Sequence, residues 1–146
     1  MEVTFGEHAG KSVEHLVVKR PDLLAQSANG QLLRVQQHAK DLVARFDAKP
    51  ITCGCFGTAC GQHATRGVVI PGLTGPAWWC DTCTAHDLDT DPSNLVSIKT
   101  YVGAVGYAKA NCGASRVPCQ TLVKLFAEAK GLPKRAREPQ VQDFFG

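Results

Sequence analysis

The chain has 146 residues, 44% of them hydrophobic, enough for one modest core with a small metal-held unit beside it. No run approaches the roughly 18 uninterrupted apolar residues of a membrane span, and MEVTFGEHAG lacks the basic-then-apolar build of a secretion signal, so the sequence predicts a cytoplasmic protein with no membrane partner. A net charge of +3 is too small by itself to mark a nucleic-acid binder, but the charge is uneven: +1 over residues 1–52, −3 over 53–91 and +5 over 92–146.

The opening TFGEHAGKS predicts two short extended pieces around a turn, with Gly6 and Gly10 free to take positive backbone angles. Ser12 is placed to cap a helix over SVEHLVVK, and Pro21 ends it and suits the first turn of a second helix, PDLLAQSA. Asn29 and Gly30 supply its stop. From Gln31 to Phe46, Leu32, Val35, Ala39, Leu42, Val43 and Phe46 recur at three and four, the stripe of a helix with one buried face that Lys49 and Pro50 close.

Residues 51–86 lose the helical period. Cysteines, glycines and β-branched residues take over, with RGVVIPG and PAWWC as strands of a small hairpin. Asp91 before Pro92 reads as a helix start, with Leu95, Val96, Ile98, Val102 and Val105 as the buried face. A last helix is expected over 118–130, ended by Gly131 and Pro133, and a polar tail then brings Phe144 and Phe145 back onto the body. The predicted class is α+β: a zinc-stapled β-hairpin unit flanked by helices, with an N-terminal β-hairpin and helix module. The expected divisions are 1–48, a finger at 49–90, and a basic helical segment at 91–146.

Seven cysteines are many for a reducing compartment, and short spacings there point to metal rather than disulfides. Cys80-Asp-Thr-Cys83 lets two thiolates face one tetrahedral centre. Upstream, Cys60 pairs with Cys55 at a spacing inside the usual zinc range, or with Cys53 at one outside it. Gly61 directly after Cys60 frees the backbone to curl its amides toward sulfur. The expectation is one structural Zn2+ per chain held by Cys55, Cys60, Cys80 and Cys83, with Cys53 as the alternative to Cys55.

Other readings of these cysteines are a redox Cys-x-x-Cys pair and a set of buried free thiols, and His63 or His86 could replace one cysteine. Four thiolates leave no open position for catalysis, and the His-x-Glu of zinc deaminases occurs nowhere in the chain, so an enzyme is not expected. Cys112 and Cys119 read as small core residues. His8, His15 and His38 read as solvated or hydrogen-bonded. Trp78 and Trp79 should send one ring into the core and leave the other over the cysteines.

Lys124, Lys130, Lys134, Arg135 and Arg137 cluster at the end of the last helix and, with Lys11, are the candidate nucleic-acid contacts. The segment Phe5-Gly6-x-His8-x-Gly10-Lys11-Ser12, followed by Leu16 and Pro21-Asp22-Leu23-Leu24, resembles the small module that follows the nuclease domain in exodeoxyribonuclease X-like proteins. That resemblance covers roughly residues 4–45 and implies association with DNA processing. Nothing in the chain supplies the spaced Asp and Glu residues that hold two metal ions for phosphodiester cleavage, so the nuclease itself is excluded. Residues 60–83 resemble a zinc-ribbon or treble-clef finger. The expected function is a non-catalytic zinc module binding DNA, RNA or a nucleic-acid-processing partner. The alternatives are a protein-interaction adaptor presenting Trp78, Phe144 and Phe145, and a His-metal-finger nuclease using His86 or His63.

Overall fold

A computed structural model describes residues 1–4, 6–24, 33–57, 60–70, 75–83, 95–112 and 116–146. The class is α+β. The predicted N-terminal hairpin is reduced to one bridge, Glu2 to Ser12, tied by Val3 N to Lys11 O and Gly10 N to Val3 O, each 2.8 Å. Between its arms Gly6–His8 forms a 3-10 turn, and Gly10 sits at φ 82°. Ser12 caps α1 (Val13–Lys19) as expected, accepting from His15 N at 3.2 Å. Pro21 opens α2 (Pro21–Leu24), and the expected continuation to Ala28 lies outside the described residues.

The long stripe forms α3 (Leu33–Ala48), burying Val35, Ala39, Leu42 and Phe46. The predicted hairpin is present as β1 (Arg66–Val69) and β2 (Ala77–Trp79), antiparallel, with Gly67 opposite Trp78. Gly67 is needed there, because a Cβ would lie 2.7 Å from Phe126 Cζ and 3.1 Å from Trp78 Cζ3.

The helix predicted from Asp91 is corrected. Asp91 and Pro92 lie outside the described residues, and Val96–Ile98 form a third strand, β3, which pairs with β1 to give the order β2-β1-β3. Val96 and Ile98 are β-branched and satisfy the free edge of β1, which outweighs the helical spacing. Helix α4 (Tyr101–Cys112) begins only after Thr100, whose hydroxyl accepts from Gly103 N at 3.0 Å, while Asp47 Oδ1 accepts from Tyr101 N at 2.8 Å.

Helix α5 (Arg116–Ala129) ends as expected, with Gly131 at φ 104° and Leu132 N donating back to Ala127 O at 2.9 Å. The tail is a helix of its own, α6 (Glu138–Phe145). Val141, Phe144 and Phe145 on α6 enter the main core with Val13, Val17, Phe46, Val123 and Phe126. Cys119 is buried in the same core. No helix among the described residues is long and apolar enough to cross a membrane.

Candidate metal centre

Two backbone devices bring the cysteines together. The first is a short pairing of Gly54 with His63, held by Cys55 N to Gln62 O at 2.8 Å and Ala64 N to Cys53 O at 3.0 Å. It closes the Cys55 to Cys60 segment into a knuckle whose exit residue, Gly61, sits at φ 66°. The second is the bend that follows β2 and carries Cys80 and Cys83. Phe56 N donates to Trp78 O at 2.9 Å and joins the two.

The Sγ atoms of Cys55, Cys60, Cys80 and Cys83 all lie within 4.8 Å of one another. Cys60 Sγ and Cys80 Sγ are 3.7 Å apart, close to the about 3.8 Å separating two thiolates on one tetrahedral ion with 2.3 Å bonds. Cys53 is not in this group; its backbone carbonyl serves the knuckle, and burial pushes its thiol up. Geometry thus selects Cys55 over Cys53.

Backbone amides converge on the sulfurs. Gly57 N and Cys80 N each donate to Cys55 Sγ at 3.2 Å, and Cys83 N donates to Cys80 Sγ at 3.3 Å. The Thr82 hydroxyl, 3.2 Å from Cys80 Sγ, and the Cys83 amide lower the Cys80 thiol to about 6. Its neighbours Cys80, Cys60 and Cys55 push Cys83 the other way. Four sulfurs this close ionise together only beside a cation, and such a donor set fits a soft or borderline divalent metal. A Cβ on Gly57 would collide with Cys83 Sγ and lie 3.3 Å from Cys55 Sγ, so the cradle leaves room only for glycine.

Arg66 is a supporting residue that the sequence reading missed. From β1 its Nε donates to Cys80 O at 3.2 Å and its Nη2 to Cys83 O at 2.6 Å, clasping both ends of the second cysteine loop. Its only sequence signal is that it is the lone basic residue in a stretch otherwise carrying four aspartates.

No family model, curated protein or solved structure matches the chain.

Function is therefore read from the residues alone. His63 stands outside the sulfur group, with Nδ1 3.1 Å from Thr52 O, and His86 lies outside the described residues. His8 contacts Arg20 and Glu7, and His38 contacts Glu14, as solvated or hydrogen-bonded histidines would. Trp79 packs with Val68, Ile70, Cys55 and Cys83 beside the sulfurs, while Trp78 meets Phe126 edge-on at 4.9 Å.

The basic candidates separate. Lys134, Arg135 and Arg137 are exposed, and Lys124 is half-exposed, 3.7 Å from Glu128. Lys130 must be withdrawn from the set. It is buried, and that desolvation lowers its pKa, while its Nζ donates to the carbonyls of Asp47 and Lys49 at the end of α3. Lys11, remote in sequence, lies 3.9 Å from Glu138, the neighbour of Arg137. Phe144 and Phe145 dock back onto the body as expected of the tail, and their burial removes both rings from the alternative adaptor surface of Trp78, Phe144 and Phe145.

Proposed function

We propose that the chain is a non-catalytic, zinc-stapled module that binds nucleic acid directly or through a nucleic-acid-processing partner. The observation that carries the zinc reading is the convergence of four sulfurs within 4.8 Å of one another from two loops far apart in sequence, with Cys60 Sγ and Cys80 Sγ 3.7 Å apart. Zinc held by Cys55, Cys60, Cys80 and Cys83 supplies a cross-link, and four thiolates leave no position for a reacting water. Arg66, Gly57 and the amides of Cys80 and Cys83 would orient the ligands, which supports reading the hairpin as a zinc-stapled unit.

Nucleic-acid binding is supported by the exposed Lys134, Arg135 and Arg137, by Lys11, whose 3.9 Å contact with Glu138 brings it to the residue after Arg137, and by the resemblance of residues 4–45 to a module of DNA-processing proteins. Glu138 joins the two basic segments, accepting from Ser12 N at 2.8 Å. The contact is one of backbone phosphates, without sequence preference.

Elemental analysis should find about one zinc per chain, in proportion to the single four-thiolate site; a well-folded, metal-free preparation would overturn the staple. A salt series with single- and double-stranded DNA and RNA tests the second part. Affinity should fall steeply with salt, and Lys134→Glu with Arg135→Glu should abolish it. Absence of binding at low salt would overturn direct contact.

A further inference from the structure

Helix α4 is apolar around its circumference. Tyr101 to Ala108 carries no charge, and Lys109 is the one charged residue of the helix. A helix of that composition is ordinarily covered on every side. Here the inner face is covered, with Tyr101, Ala104, Val105 and Ala108 buried, while Val102 on the outer face is 69% exposed and Gly103 and Gly106 face outward with it.

Beside that outer face α3 and α4 border an open groove of about 550 Å3. Ala39, Val43, Tyr101 and Val105 line it with apolar surface, and Lys40 and Lys109 supply its charge, one from each helix. Among the described residues no carboxylate lines it, and neither lysine is paired with one. A Cβ placed on Gly106 would meet nothing within 4 Å, so a foreign backbone can approach closely there.

We infer that this groove docks an acidic amphipathic helix of a partner protein, with apolar residues seated between α3 and α4 and carboxylates meeting Lys40 and Lys109. Two helices bordering an apolar trough receive a third helix by the same ridge-and-groove packing that joins helices within a domain. The lysines select its charge and orient its approach. A second copy of this chain is the wrong occupant, because two-fold docking would bring both pairs of lysines to an interface lined by no carboxylate. The site uses none of the residues assigned to nucleic acid.

The test uses the full chain and two labelled synthetic helices read by fluorescence anisotropy. One has leucines on one face flanked by glutamates; the other carries lysines in their place. The glutamate peptide should bind at least about tenfold more tightly, the usual scale of charge discrimination at an interface. Lys40→Glu with Lys109→Glu should reverse that order. Gly106→Leu should fill the groove and remove binding while leaving the thermal midpoint unchanged or raised, since leucine favours helix over glycine. Equal binding of the two peptides, no binding of the glutamate peptide, or indifference to Gly106→Leu would overturn the inference. So would concentration-dependent dimers that Gly106→Leu dissolves. If the Lys40 and Lys109 double variant lost DNA affinity as Lys134→Glu with Arg135→Glu does, the two lysines would belong to the phosphate surface instead.

Discussion

Arg66 Nη2 donates to the backbone carbonyl of Cys83 at 2.6 Å, tying the central strand of the sheet to the last of the four clustered cysteines. The same guanidinium reaches Cys80 O, so one planar group holds the loop open at the spacing its two sulfurs need. Arg66→Lys keeps the charge and loses the fork. It should lower stability by about 1–2 kcal/mol, the scale of a lost charged hydrogen bond on a half-buried site. Urea denaturation would show the change, together with faster loss of metal to a chelator.

Gly57 and Gly54 give a paired test of the sulfur cradle. A Cβ at Gly57 would displace Cys83 Sγ, whereas at Gly54 it would meet nothing within 4 Å. Gly57→Ala should weaken metal retention by about tenfold or more, as displaced or badly oriented ligands do, and Gly54→Ala should leave it unchanged. Competition with a chromogenic chelator measures both. Equal retention by the two variants would contradict the four-sulfur assignment.

Phe46 is 1% exposed and stands where α3, α4 and α6 meet, edge-on to Tyr101 at 5.4 Å and to Phe144 at 6.1 Å. Lys130 Nζ lies 5.4 Å from its ring centroid. Phe46→Ala should cost about 3–5 kcal/mol by removing buried area and leaving a cavity. Thermal and urea unfolding would register it, with α6 detaching first in hydrogen exchange.

Acid should loosen the junction of the two termini. Backbone and side-chain hydrogen bonds from Ser12 hold the Glu138 carboxyl below its ordinary value of 4.5. A depressed folded pKa contributes stability that is present above about pH 4.5 and is lost as pH falls through the folded value. Thermal midpoints should therefore drop below pH 4.5 by more in the natural chain than in Glu138→Gln, which lacks the titrating group. Parallel curves would refute the role.

The four clustered cysteines and the two strands of the hairpin were readable because each rests on local chemistry. A Cys-x-x-Cys pair, a second pair four residues apart and a glycine after Cys60 need little beyond their own segment. Helices α1, α3 and α5 were readable for the same reason, through Ser12, the three-four stripe and Gly131. The strand at Val96–Ile98 was not, because Leu95, Val96, Ile98, Val102 and Val105 fit a helical spacing equally well. Only the free edge of β1, supplied by residues some thirty positions earlier, decides between them.

Lys130 and Phe144 teach the complementary lesson. Read locally, a lysine after a helix is a solvated cation, and a terminal Phe-Phe is either a docking tail or an exposed patch. The fold puts the end of α3 against Lys130, turning its ammonium inward onto two carbonyls, and winds the tail into α6. By itself, the sequence determined that this is an α+β chain with four cysteines spaced for one metal and a basic C-terminal third, since spacing and composition are local and additive. Tertiary structure alone decided that Arg66 clasps the cysteine loop, that Lys11 meets Glu138 and that, among the described residues, α4 keeps Val102 exposed on one face. Each of those is a contact between segments far apart in the chain, and no local preference encodes which distant surface will arrive.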